Sequence, residues 1–245
     1  MSSVWIGWGA NVGDAKSAFD VALSQLDSHP QITVLARSGL YRTAAVGQIA
    51  GDAFLNAVCH VTTSLAPLEL LDELQSVELS LGRQRGVQWA PRTLDLDLLF
   101  WDEQVIVSPR LTVPHPAAWY RRFVLDPLIE IASDLKHPQL GVTLAELRDR
   151  LRVRSLQVGL APHWAALCES SRIEITSRFP GVTLSTTDDN ATPTLLLKLR
   201  HDDESPTISS DKPIADLTAS PGEPLQKVID FLNAIHDEPL RVSDW

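Results

Sequence analysis

Thr93-Leu94-Asp95-Leu96-Asp97-Leu98-Leu99-Phe100-Trp101 is the stretch that decides how this chain folds. Leu94, Leu96 and Leu98 alternate with Asp95 and Asp97, the period-two pattern of a strand with one apolar and one polar face. On such a strand the two aspartates point the same way, with their carboxylates close together.

Working outward, residues 4–8 read as a short buried strand that ends in a glycine turn. Asp14 then caps a helix to about Ser28, with Phe19, Ala22, Leu23 and Leu26 on one face. Residues 32–42 and 53–63, rich in Val, Ile and Thr, read as strands. Pro67 opens a second helix and Gly82 closes it. Leu70, Leu71, Leu74, Val77 and Leu81 form its buried stripe, with Gln75 and Glu78 off that stripe. Short helices are expected near 117–131, and Thr143 with Glu146 makes a capping box for another. The order β-α-β-β-α-β predicts an α/β (α+β) fold: a ferredoxin-like, split βαβ sheet with helices packed on it.

Near residue 155 the texture changes. Loops at 186–193 and 201–213 are rich in Asp, Ser, Thr and Pro, with short apolar runs at 195–199 and 214–217 and an amphipathic helix after Ser220. This predicts a domain over 1–154 and a small C-terminal α/β segment over 155–245. The 245 residues carry a net charge of −10, which argues against general nucleic-acid binding. The imbalance lies mostly in the second segment, with 7 basic against 14 acidic side chains. Two distant cysteines, Cys59 and Cys168, offer neither a disulfide framework nor metal spacing, which fits a reducing, cytoplasmic setting. The N-terminal residues lack the pattern of a secretory leader, and no apolar run approaches the ~20 residues of a membrane span.

Two carboxylates as close as those of Asp95 and Asp97 repel unless a cation sits between them. Magnesium suits the pair, since it takes one or two carboxylates plus substrate phosphates. A solvated face on an edge strand is the plainer alternative. Arg83, Arg85, Arg92, Arg110, Arg121 and Arg122 crowd the same segment, and no lysine occurs between Lys16 and Lys136. Guanidinium forks grip phosphate oxygens in pairs, although any single arginine also serves as a surface ion-pair partner. His115, stiffened between Pro114 and Pro116, suits a fixed donor to phosphate or merely a rigid turn. Phe54, Asn56, Trp89 and Phe123 would suit a flat heterocycle, the aromatics by stacking and the amide by pairing with a ring edge; core packing is the alternative for each aromatic. Gly7, Gly9 and Gly13 do not make a dinucleotide fingerprint, because Val12 stands where the third glycine belongs, and there is no P-loop.

Trp89-Ala90-Pro91-Arg92-Thr93-Leu94-Asp95-Leu96-Asp97 resembles the signature of the hydroxymethyldihydropterin pyrophosphokinases. Gly9-Ala10-Asn11, Tyr41-Arg42-Thr43, Phe54-Leu55-Asn56-Ala57, Glu78 with Leu81-Gly82-Arg83, Leu111 to Pro116 and Arg121 to Leu125 agree in order and spacing. The resemblance covers about residues 3–152. It implies transfer of pyrophosphate from ATP to 6-hydroxymethyl-7,8-dihydropterin, with release of AMP, in folate biosynthesis. It implies two Mg2+ ions on Asp95 and Asp97, with Arg83 and Arg92 gripping the moving group. Gln75, Glu78, Arg85, Leu98, Arg110, Thr112, His115 and Arg121 fall at ATP-binding positions. Thr43, Ala45, Val46, Phe54, Asn56, Trp89 and Phe123 fall at pterin-binding positions, and the loops at 43–52 and 83–92 would close as lids.

The chain departs from the family pattern at Ala44 and Ala45, where prolines are common, at Gln88, where a basic residue is usual, and at Ala10, where serine is common. Residues 155–245 lie outside the resemblance and are faintly similar to the C-terminal end of deoxynucleoside kinases. Packing or self-association is the plainer role for them. Two rival functions remain for the whole chain: an inactive homologue used as a binding module, and a metal-dependent phosphohydrolase.

Overall fold

Local chemistry starts and stops the helices where the sequence suggests. The structure, a computed structural model, describes residues 1–44, 53–83, 93–152, 156–160, 172–186, 195–198, 214–216 and 224–243. Helix α1 (Ala15–Asp27) is capped by Asp14, whose carboxylate accepts from the Ser17 amide at 3.1 Å. Helix α2 (Pro67–Ser80) begins at proline, and Gly82, at φ +82°, takes the left-handed conformation that ends it. Helix α4 (Leu144–Arg152) carries the expected box: Glu146 accepts from the Thr143 amide at 2.7 Å, and Thr143 Oγ1 accepts from the Glu146 amide at 3.2 Å.

The chain forms two compact units. One comprises Met1–Arg148 with Asp237–Trp245, the other Asp149–His236. The last nine residues, assigned on sequence grounds to the C-terminal segment, therefore return to the first unit, because β12 (Leu240–Ser243) pairs with β3 (Leu40–Thr43).

In the first unit the sheet order is β12-β3-β4-β1-β5, all antiparallel, with β2 (Ile32–Arg37) on the same edge of β4 (Phe54–Thr63) as β3. Strand β1 (Ser2–Ala10) is central and β5 (Asp95–Trp101) flanks it. This is the split βαβ arrangement. The run 32–42 is not one strand. Ser38 breaks it, since its hydroxyl donates to the Gly39 carbonyl and accepts from the Val58 amide at 3.0 Å. Helices α1 and α2 cover one face over a core of Ile6, Trp8, Phe19, Ala57, Leu70, Leu74, Leu96 and Leu98. Each large apolar side chain buried there contributes roughly 2 kcal/mol.

Helix α3 (Arg122–Ala132) packs against β4 and β3. Helical structure was expected from 117, but residues 116–120 form turns and the helix starts at Arg122. A two-stranded ribbon, β6 (Ile106–Val107) with β7 (Thr112–Val113), completes the unit. Val113–Pro114 is a cis peptide.

The second unit is a parallel sheet in the order β11-β10-β8-β9, from β8 (Leu156–Leu160), β9 (Val182–Thr186), β10 (Leu195–Lys198) and β11 (Ile214–Asp216). Helices α5 (Arg172–Arg178) and α6 (Pro224–His236) belong to it, with Val158, Ile175, Leu184, Val228 and Leu232 buried. Among the described residues no helix is long and apolar enough to cross a membrane.

Candidate functional site

Strand β5 turns Leu96 and Leu98 into the core and leaves Asp95 and Asp97 partly exposed on the other face. In the ladder Asp95 lies opposite Gly9 and Asp97 opposite Gly7. On the far side of β1, Gly9 lies opposite Asn56, and Asn56 lies opposite Tyr41 of β3. Residues opposite each other project to the same face. Asp95, Gly9, Asn56 and Tyr41 thus form one row across four strands.

The missing side chain of Gly9 keeps this row open. A Cβ there would lie 3.5 Å from Asn56 Oδ1 and 4.0 Å from Asp95 Cβ. Strands sit ~4.8 Å apart, so about 10 Å separates Asp95 from Asn56. Asn56 is buried and donates through Nδ2 to Thr43 Oγ1 at 2.9 Å, which fixes the amide while Oδ1 points toward the Gly9 gap. Phe54 stands two residues earlier on the same face, opposite Thr43.

Arg83 follows the end of α2. Its guanidinium bonds Glu78 and reaches Asp95 Oδ1 at 2.5 Å. Glu78, expected off the buried stripe, is 2% exposed. It is buried because it accepts the Leu96 amide at 2.7 Å and the Arg83 side chain, which satisfies its charge inside the protein. One carboxylate thereby joins the end of α2 to β5 and holds Arg83 against Asp95.

His115 is anchored beside β5 by its own amide, which donates to the Leu99 carbonyl at 2.9 Å. The Ala117 amide donates to Nδ1 at 3.1 Å, so the neutral ring carries its proton on Nε2. Desolvation pushes the imidazole down to about 3; Arg121 adds to this and Asp95 opposes it. His115 is therefore a neutral Nε2–H donor at physiological pH.

The Arg121 guanidinium lies 5.6 Å from the Phe123 ring centroid, a cation–π arrangement. Arg110 pairs with Asp72, one turn before Gln75 on α2, and Thr112 is exposed on β7. Leu98 is 3% exposed in the core, so it has only main-chain atoms to offer a nucleotide. Arg122, counted among the phosphate-facing arginines, instead pairs with Asp126 at 2.7 Å within α3. Ala45, Val46, Arg85, Gln88, Trp89 and Arg92 lie outside the described residues, as do most of the two expected lids.

Among the described residues no group of three or more His, Cys, Asp or Glu side chains is placed to hold a metal by itself. The donor set fits magnesium nonetheless. It consists of two carboxylates on one face, and the bare Gly9 opposite Asp95 leaves room for water and phosphate, while Leu99 fills the space at Gly7 opposite Asp97.

Two residues carry no signal in the sequence. Asp72 as the partner of Arg110 had no local signal. Nor did Glu130 of α3, whose carboxylate accepts from Tyr41 Oη at 2.5 Å, the Gly39 amide at 2.6 Å and Arg241 Nε at 2.6 Å. Burial would raise the Glu130 pKa, but these three donors hold it below the usual carboxylate range.

A ferredoxin-like sheet with a carboxylate pair and a guanidinium on one face, and a neutral histidine on the segment beside β5, defines an α/β protein with a charged candidate site. The model of the 7,8-dihydro-6-hydroxymethylpterin-pyrophosphokinase (HPPK) family matches residues 5–133. A 2-amino-4-hydroxy-6-hydroxymethyldihydropteridine pyrophosphokinase of Pseudomonas aeruginosa is 42% identical over 144 residues, 59% of this chain and 88% of that protein. One from Bacillus subtilis is 41% identical over 132 residues, 54% of this chain and 79% of that one. The bifunctional protein FolKE of Lactococcus lactis subsp. cremoris is 40% identical over 134 residues, 55% of this chain and 38% of the relative. The chain belongs to the HPPK family.

Crystal structures of Plasmodium falciparum HPPK-DHPS share the fold. The wild-type structure with SDX-DHP has a TM-score of 0.51 at 12% identity, over 81% of this chain and 56% of that one. A variant crystallised with pterin and p-hydroxybenzoate gives 0.52 at 12% identity, over 80% and 55%. The chain therefore spans just over half of these longer proteins.

Proposed function

We propose that the chain transfers pyrophosphate from ATP to the hydroxymethyl group of 6-hydroxymethyl-7,8-dihydropterin in folate biosynthesis. The row Asp95–Gly9–Asn56 carries this reading, because it sets a phosphate-handling carboxylate and a ring-reading amide on one open face. The hydroxymethyl oxygen attacks the β-phosphorus, the bond to the α,β-bridging oxygen breaks, and AMP leaves with that oxygen. The hydroxyl proton passes to solvent.

Positioning and charge neutralisation supply most of the rate in such transfers. Asp95 and Asp97 would hold two Mg2+ ions, whose chemistry is to neutralise the phosphate oxygens and draw them into line. Arg83, held by Glu78, meets the transferred group, and the family resemblance gives Arg92 the same role. His115 donates from Nε2 to a phosphate oxygen, and Arg85, Arg110, Thr112, Arg121, Gln75 and the Leu98 main chain surround the nucleotide. Thr43 and Asn56 read the pterin edge, Phe54 and Phe123 flank its ring, and Ala45, Val46 and Trp89 complete the pocket.

Residues 1–154 carry this chemistry, apart from the strand that closes the sheet edge. The second unit, Asp149–His236, is a module for packing or self-association. A cytoplasmic setting suits the free, buried Cys59. Mixing the full chain with ATP, magnesium and the pterin should yield AMP and the pterin pyrophosphate. Phosphate released at the same rate without pterin would replace this reading with a phosphohydrolase.

A further inference from the structure

The C-terminal strand meets the fold at the edge of the proposed pterin site. Strand β12 pairs Leu240 with Arg42 and Arg241 with Tyr41, so it lies along β3. Tyr41 in turn lies opposite Asn56, and Thr43, at the end of β3, accepts the Asn56 amide at 2.9 Å. On that same face, Glu130 of α3 binds Tyr41 Oη, the Gly39 amide and Arg241 Nε together. The fit around Gly39 is close, for a Cβ at that position would sit 2.7 Å from Arg241 Nε and 2.8 Å from its Cζ. The guanidinium thus occupies the space that any larger residue at 39 would take.

A three-residue strand-end contact would not by itself order β3. The ion pair is partly exposed, with Arg241 46% and Glu130 25% accessible, so its charge alone contributes little. Its effect is geometric. Glu130 is the shared acceptor that holds the start of β3, the middle of β3 and β12 to one point of α3. When these contacts are lost, β3 becomes a short edge strand whose end carries Thr43. Ordering Thr43 and Asn56 would then draw on the free energy of pterin binding, which lowers affinity for that ligand. Asp95, Asp97 and His115 belong to β5 and the segment after β7, so the nucleotide side is not held by this network.

We propose that Arg241 and Glu130 are positioning residues for the pterin site, through which the C-terminal strand holds the Thr43–Asn56 pair in its reading geometry. The proposal rests on the reading of that pair as pterin contacts. It makes β12 part of the substrate-selecting apparatus, although the strand follows the second unit in sequence.

The test uses the full chain with Arg241→Met, Arg241→Lys and Gly39→Ala. The alanine displaces the guanidinium while leaving the arginine in place, which keeps the test alive if the methionine variant folds poorly. Two measurements are made: amide hydrogen exchange across Leu40–Thr43 and at Asn56, and the KM for each substrate. Arg241→Met and Gly39→Ala should speed exchange in that region. They should raise the pterin KM about tenfold while leaving kcat and the ATP KM within about twofold, and Arg241→Lys should recover most of the loss. Unchanged exchange with unchanged pterin KM, or an equal rise in both KM values, overturns the proposal. A wild-type chain that forms no AMP would defeat the proposed reaction instead, and the exchange measurement alone would then decide whether the strand orders Thr43 and Asn56.

Discussion

Asp95 and Asn56 face the same side of the sheet from strands separated by a single bare position, Gly9. The carboxylate is held by Arg83 and the amide by Thr43, so both ends of this ~10 Å span are braced before any ligand arrives.

Gly9 is the first place to test that span. A Cβ meets only ordinary contacts, 3.5 Å to Asn56 Oδ1 and 4.0 Å to Asp95 Cβ. Gly9→Ala should fold and keep its activity within severalfold. Gly9→Leu fills the gap between the two ends and should lower kcat/KM by about a hundredfold or more, because misplaced reactants lose the benefit of alignment. Steady-state kinetics with both substrates, beside thermal melts, check this.

Asp97 projects from the same face as Asp95 and takes no part in the core. Asp97→Ala should lower kcat about a thousandfold or more while urea stability stays within about 0.5 kcal/mol of the parent. Near-normal AMP production by this variant would remove the metal assignment.

Glu78 is a structural carboxylate as well as a site residue. Glu78→Ala leaves the buried Leu96 amide without its acceptor and Arg83 without its anchor. The expected cost is roughly 3 kcal/mol in urea unfolding, against about 1 kcal/mol for Glu78→Gln, which retains an acceptor. Equal losses in the two variants would mean that the charge, and not the acceptor, is what matters.

His115 titrates far below the ordinary 6.5 because desolvation disfavours its charged form. Its folded pKa is the lower one, so the stability it contributes is fully present above about pH 6.5 and drains away as the pH falls toward 3. His115→Asn should therefore lose less stability than the parent between about pH 6 and pH 4. His137, brought down to about 4 by the same cause, keeps its own share of the acid sensitivity. Urea midpoints at several pH values report the difference.

Asp237 behaves in the opposite sense. Burial raises it to about 6 from an ordinary 3.8; Arg122 and a hydrogen bond from the Glu238 backbone pull it down, while the charges of Asp126 and then Glu238 push it up. Stability from this group is complete below about pH 4 and is lost as the pH climbs through 6. Asp237→Asn should melt a few degrees above the parent at pH 8, about 1 kcal/mol once solvent screening is allowed for, and level with it at pH 4. A lower melting temperature at pH 8 would show that Arg122 requires the charged carboxylate.

The order of elements, the shared face of Asp95 and Asp97, the caps at Asp14 and Thr143, and the resemblance around Arg92 to Asp97 were legible in the chain itself. Each depends on neighbours a few residues apart, where periodicity and local hydrogen bonding set the outcome. The burial of Glu78, the break at Ser38, the diversion of Arg122 to Asp126 and the return of β12 to β3 were not legible. Those depend on partners brought together by folding: the Leu96 amide, the Val58 amide, the carboxylate on the next turn of α3, and an edge left open on β3. A charged side chain can be buried only where tertiary structure supplies its partner, and no spacing along the chain reports which partner that will be.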